Sequence, residues 1–145
     1  MDNMQPDGWT VAGLDTNFYA VAPSQVVGGT LLGRPAGVRF TAFAFHWTYG
    51  DGTAAARGTP GGTWQQLRLP EFDPTPTSHV YAAEGDYTIR LRVDYHAEYR
   101  FDGSAFRPID GVITAPANDL HITVGDATTV LVSRDCASDP GGPGC

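Results

Sequence analysis

The residues able to do chemistry in this chain are few and scattered. His46 and His96 fall on outward-facing positions of two alternating segments that become neighbours if both are strands. Two imidazoles alone make a weak metal site, and His79 and His121 add none of the ligand spacing that zinc motifs show. Solvated sheet positions are the first reading of these histidines, and neither a metal site nor a cofactor is expected. Ser24, Ser78, Ser104, Ser133 and Ser138 lack the G-x-S-x-G context that presents a nucleophile on a strained turn. Cys136 and Cys145 sit in a glycine-rich tail with only Arg134 nearby to lower a thiol pKa. No catalytic residue is expected, so the chain reads as non-enzymatic. A carboxylate pair assembled from distant segments stays open.

Binding chemistry has more to work with. Arg90, Arg92, Asp94, His96, Glu98 and Arg100 form one charged stripe of a strongly alternating segment. The stripe mixes both signs, which suits a solvated sheet face with cross-strand pairs first and a binding face second. Trp64 lies in the long stretch that follows Thr53, where an individual function is expected to reside. Trp64, Arg90 and Arg92 are therefore the candidate binding residues.

The elements that must position them are strands. Phe43, Phe45, Trp47 and Tyr49 recur at period two, the pattern of a strand with one face in a core. It stops at Gly50, where Asp51 and Gly52 supply a turn carboxylate and a residue free to take positive φ. Tyr87, Ile89, Leu91, Val93, Tyr95, Ala97, Tyr99 and Phe101 alternate with polar residues in a second strand. At about 3.3 Å per residue it runs to about 45 Å, so its far half should leave the body of the domain as a ribbon. Asp102 and Gly103 then offer a hairpin turn into Ala105–Ile109. Further strands are expected at Asn17–Val21, Gln25–Leu32, Val38–Phe40, Trp64–Leu69, Gly111–Thr114, Leu120–Val124 and Thr128–Ser133, with Gly33 to Ala36 ending the second of these. Residues 1–8 read as a disordered lead-in.

Composition sets the outer bounds. A chain of 145 residues fits one domain and can bury about two-thirds of its unfolded surface. Gly 18 and Pro 11 point to many turns, as all-β proteins need. The formal charge is -7, which argues against a nucleic-acid partner because a phosphate backbone must meet a concentrated positive surface. All nine basic residues are arginine, which excludes a lysine Schiff base and a phosphate-loop lysine. No run approaches the about 20 apolar residues of a membrane-spanning helix, and MDNMQPDGW lacks the basic and apolar parts of a secretory signal. A mature domain behind a reassigned initiator Met fits that start. Cys136 and Cys145 enclose a Pro/Gly-rich reversal and read as a disulfide over a pair of free thiols. Closing so short a loop contributes at most about 2 to 3 kcal/mol on the chain-entropy model, so it would order the tail, residues 135–145, without holding the domain together.

Two landmarks in order carry a resemblance. Trp47, Tyr49, Gly50, Asp51, Gly52 and Thr53 form the first; His79, Tyr81, Gly85, Tyr87, Ile89, Leu91 and Val93 form the second. Together they resemble the PKD domain family, in which W-[DN]-[FY]-G-D-G-T is followed by H-x-Y, a glycine turn and Y-x-[VI]-x-L-x-V. The resemblance implies an all-β, immunoglobulin-like β-sandwich of about seven strands over residues 9–134, with the ribbon as an insertion. It implies Trp47 as the central core aromatic and Tyr81 as a tyrosine anchoring its hydroxyl to backbone. Asp51 is a turn former first; a calcium ligand, as in some PKD domains of secreted enzymes, is second, and it lacks dense acidic neighbours in sequence. Thr48 stands where the family usually has Asp or Asn, so no polar contact made there elsewhere carries over. The tail around Cys136 and Cys145 looks like small actinobacterial exported PKD proteins. The implied role is a secreted or cell-surface, non-catalytic module whose partner is an extracellular protein or glycan. The alternative is a structural spacer whose edge strands join neighbouring copies.

Overall fold

The computed structural model describes residues 1–126. Along the chain run β1 (Asp2–Gln5), β2 (Trp9–Val11), β3 (Asp15–Ala20), β4 (Gln25–Leu31), β5 (Arg34–Thr48), β6 (Ala54–Arg57), α1 (Trp64–Leu67), β7 (Ser78–Val80), β8 (Gly85–Phe101), β9 (Arg107–Pro116) and β10 (Leu120–Gly125). They form a three-stranded sheet, β1-β3-β7, and a seven-stranded sheet ordered β2-β10-β8-β5-β4, with β6 on β5 and β9 on β8. The two sheets make the layers of an immunoglobulin-like sandwich.

The period-two pattern builds the core at Phe45, Trp47 and Tyr49 but not at Phe43, which a bulge between Ala42 and Ala44 turns out of register so that it stacks on His96 instead. Trp47 opposes Leu91 and Phe45 opposes Val93, so both pairs point to one side of the large sheet. Phe18 of the small sheet meets Trp47 at 5.8 Å and Tyr49 at 5.5 Å between ring centroids. Ile89, Ile122 and Val124 close the cluster. Tilted aromatic pairs of this kind add about 0.5 to 1.5 kcal/mol each beyond the area they bury.

The second half of the long strand does leave the sandwich, in company. β5 and β8 stay paired from Thr48 and Arg90 out to Ala36 and Phe101, through a bulge at Phe43. Beyond the bulge β4 lines the outer side of β5 and β9 the outer side of β8, which makes a four-stranded arm. One arm face continues the core side with Val27, Val38, Tyr99, Ile109 and Ile113; the other carries Arg39, Glu98, His96 and Arg100. The tip turn is the expected one, with Asp102 at φ 51° and Gly103 at φ 75°.

Several expectations are corrected. Residues 1–8 are no disordered lead-in: Asp2 to Gln5 pair with Ala20 to Asn17, and Met4 is buried in the core. DNMQ is too polar to announce a strand, and its partner lies a dozen residues away. Trp64–Leu69 is no edge strand, because Thr63 caps a single helical turn. Its hydroxyl accepts from the Gln66 amide while the Gln66 side chain accepts from the Thr63 amide. The turn placed at Gly33 to Ala36 lies at Leu32 and Gly33, and Pro35 sits within β5 opposite Thr30. Ala105–Ile109 and Gly111–Thr114 are parts of β9. Thr128–Ser133, the tail 135–145 and the Cys136–Cys145 bond lie outside the described residues.

Candidate functional site

The two sequence landmarks meet at one end of the sandwich and form a corner. Gly50 follows β5 at φ 84°, and a Cβ there would stand 2.5 Å from the Thr88 carbonyl oxygen of β8. Only glycine permits that approach. Asp51 turns the chain: its Oδ1 accepts from the Thr53 amide at 3.1 Å and from the Thr53 hydroxyl, and its Oδ2 accepts from His79 Nε2 at 2.7 Å. Burial opposes ionisation of Asp51, but the hydrogen bonds from Thr53 and His79 outweigh it and hold the carboxyl below its usual range. The His79 ring stacks on Tyr49 at 3.9 Å and meets Tyr81 edge-on at 4.8 Å. Tyr81 donates its hydroxyl to the Tyr49 carbonyl at 2.8 Å, in the buried anchor that the resemblance implied. Tyr87 stacks on Tyr81, and Gly85 opens β8 at φ 150°. Every polar atom of Asp51 is spent inside the corner, so it acts as a joint. Tyr81→Phe should cost about 1 to 2 kcal/mol, read by urea denaturation, because the Tyr49 carbonyl loses its buried donor.

A second constellation lies on the outer face of the large sheet. A hollow of about 530 Å³ is lined by His46, Thr48, Arg90, Arg92, Pro116 and Asp119, with Ala54 to Ala56 of β6 forming one wall. Cross-strand register sets this up: His46 opposes Arg92 and Thr48 opposes Arg90, while Ala56 flanks His46 on the other side. The alanines leave the wall low, and both guanidinium groups stand exposed above it. Arg90 Nε lies 3.5 Å from Asp119 in an open pair of 71% and 48% side-chain exposure, which contributes little. Arg92 makes no hydrogen bond or ion pair among the described residues. His46 Nε2 donates to Asp94 at 2.7 Å, and Thr114 donates to the other Asp94 oxygen at 2.7 Å. Those bonds, Thr114 first and His46 second, hold Asp94 below the usual carboxylate range. With both Asp94 oxygens hydrogen-bonded elsewhere, Arg92 acts on Asp94 only through space and has no hydrogen-bonded acceptor among the described residues.

The layers and the corner define an immunoglobulin-like, all-β sandwich module. The family model of the PKD domain matches residues 20–98, more than half of the 145, and the chain belongs to that family. The PKD domain is a non-catalytic immunoglobulin-like domain and is typically extracellular. No curated protein and no solved structure matches the chain. Among the described residues no helix is long and apolar enough to cross a membrane, and no three metal-ligating side chains converge.

The expected binding residues fare differently. Arg90 and Arg92 share one hollow. Trp64 does not line it and is only 3% exposed; its indole donates to the Asp73 carbonyl at 3.0 Å, and its ring packs on Phe72. A ligand cannot stack on it, so Trp64 is a packing residue of the loop. His46 and His96 do not approach each other: His96 opposes Thr41 and stacks on Phe43 at 3.8 Å. Asp94 belonged to the charged stripe weighed as a binding face; Asp119 and the β6 alanines were not anticipated as parts of a site. The only signal for Asp94 and His46 was their shared outward phase on adjacent strands.

Proposed function

We propose that this chain is a secreted or cell-surface, non-catalytic PKD module that binds an acidic extracellular protein or glycan through the hollow around Arg90 and Arg92. The observation that carries the reading is Arg92, a guanidinium with no acceptor of its own among the described residues, set beside Arg90 on the wall of a cavity of about 530 Å³. Arginine forks suit carboxylate and sulfate groups because two parallel N–H donors meet two oxygens. The apolar surface of Ala56 and Pro116 would seat the sugar ring or side chain that carries the anion. In a chain of formal charge -7, a local basic pair also selects against neutral partners of no fixed orientation.

A binding screen over acidic and neutral glycans and acidic proteins tests the reading. A specific acidic hit should weaken at least about tenfold in Arg90→Gln/Arg92→Gln, the loss of one to two charge-assisted bonds. Trp64→Ala is not a suitable control, since the burial of Trp64 ties it to folding. Hits confined to neutral ligands, or unaffected by the double substitution, would sink the proposal.

A further inference from the structure

We propose that β4 is a docking edge for a second copy of this chain, the two copies pairing β4 against β4 antiparallel about a two-fold axis through Gly28. The inference deepens the assembly alternative and does not depend on the Arg90 and Arg92 hollow.

Among the described residues β4 ends the large sheet and pairs with β5 alone, so alternate residues present N–H and C=O groups outward without a partner there. All seven of its residues are exposed, and Val26, Val27 and Leu31 are more than half so, at 51%, 58% and 57%. Natural edges are blunted by charge, proline or bulges. The opposite arm edge, β9, has all three: Pro108 and Pro116 lack donors, Asp110 adds charge, and Gly111 sits at φ 100° within a bulge. QVVGGTL of β4 has none of them. One open and one blocked edge favour a closed pair over an open-ended chain of copies.

The glycines point to the occupant. Gly28 and Gly29 have no positive φ, and a Cβ built on either meets nothing within 4 Å. Glycine weakens an exposed strand, and nothing among the described residues requires it here; a second backbone approaching from outside would. With Gly28 on the axis, Val27 of each copy falls opposite Gly29 of the other. Gly29 and Ala36 floor a hollow of about 620 Å³ bordered by Val27, Leu31, Val38 and Tyr99, on the apolar arm face. The incoming valine reaches the rim of that hollow. Charge permits the meeting: residues 23–42 and 95–113 carry four arginines against three carboxylates in a chain of formal charge -7, so the arm is where two copies approach without net repulsion of like carboxylates.

The test is sedimentation equilibrium of the full chain over about 1 to 300 µM, an interval that brackets a modest edge-to-edge affinity. Wild type should pass from monomer to dimer. Gly28→Lys, which sets two ammonium groups face to face across the axis, should weaken dimerisation at least about tenfold while keeping the wild-type melting temperature of the dilute monomer. Amide exchange gives the second readout: β4 amides in wild type should slow as concentration rises, and those of Gly28→Lys should not. Arg90→Gln/Arg92→Gln should dimerise like wild type, so a failed ligand screen leaves this result standing. A wild-type chain monomeric throughout, or a dimer unchanged by Gly28→Lys, overturns the proposal.

Discussion

Gly50→Ala should destabilise the sandwich by about 3 kcal/mol or more, seen as a fall in the urea midpoint at unchanged slope. Two costs combine. The backbone at φ 84° strains any residue with a Cβ, and the new methyl would stand 2.5 Å from the Thr88 carbonyl oxygen and 3.0 Å from its nitrogen. Neither neighbour is a side chain that swings away, so β5 and β8 must part where their core pairs Trp47–Leu91 and Phe45–Val93 begin. Gly52 is the internal control. It has a similar φ of 88° but open space around it, so Gly52→Ala should cost only the conformational share, about 1 kcal/mol. Equal costs at the two positions would contradict the close approach.

Asp2→Asn should stabilise the protein at neutral pH by up to about 3 kcal/mol, from a shift of about two pKa units. Asp2 is 1% exposed, and neither carboxyl oxygen has a hydrogen-bond partner among the described residues. Burial is the main cause that pushes its pKa from 3.8 up to about 6, against the opposing pull of its own backbone amide and of the Met1 amino group. A folded pKa above the unfolded one means that the native state prefers the protonated form. The favourable contribution is therefore complete below about pH 4 and is lost as pH rises through about 6. Wild type and Asp2→Asn should have similar stabilities at pH 4 and diverge by pH 8, measured as thermal midpoints across that range. Parallel profiles would show that Asp2 reaches solvent.

What the sequence made legible is what local periodicity controls. Trp47 and Leu91 lie on stretches of regular alternation and are core residues, whereas Phe43, which shares the period in sequence, is displaced by the bulge that no local pattern announces. The corner was readable because Gly50, Asp51 and Tyr81 each have a specific backbone duty. β1 was not readable, since Asp2 and Asn3 gain their strand only from pairing with Ala20 and Tyr19. Trp64 shows a different failure. Thr63 and Gln66 form a capping box in plain view, and Trp64, Leu67 and Leu69 lack the strict alternation that a strand would show. Its burial then depends on Phe72, which only the folded loop brings to 5.6 Å. For the hollow, Arg90 and Arg92 were visible as a stripe. Its walls come from β6 and from residues 116–119, and no spacing rule links those segments.

The Arg90 and Arg92 face is tested most directly by titrating wild type and Arg90→Gln/Arg92→Gln against the best acidic hit at low and physiological salt. Wild-type affinity should fall as salt screens the two guanidinium groups, and the double variant should bind at least about tenfold more weakly with a flatter salt dependence. Equal affinities and equal salt slopes for the two proteins would contradict binding at this face.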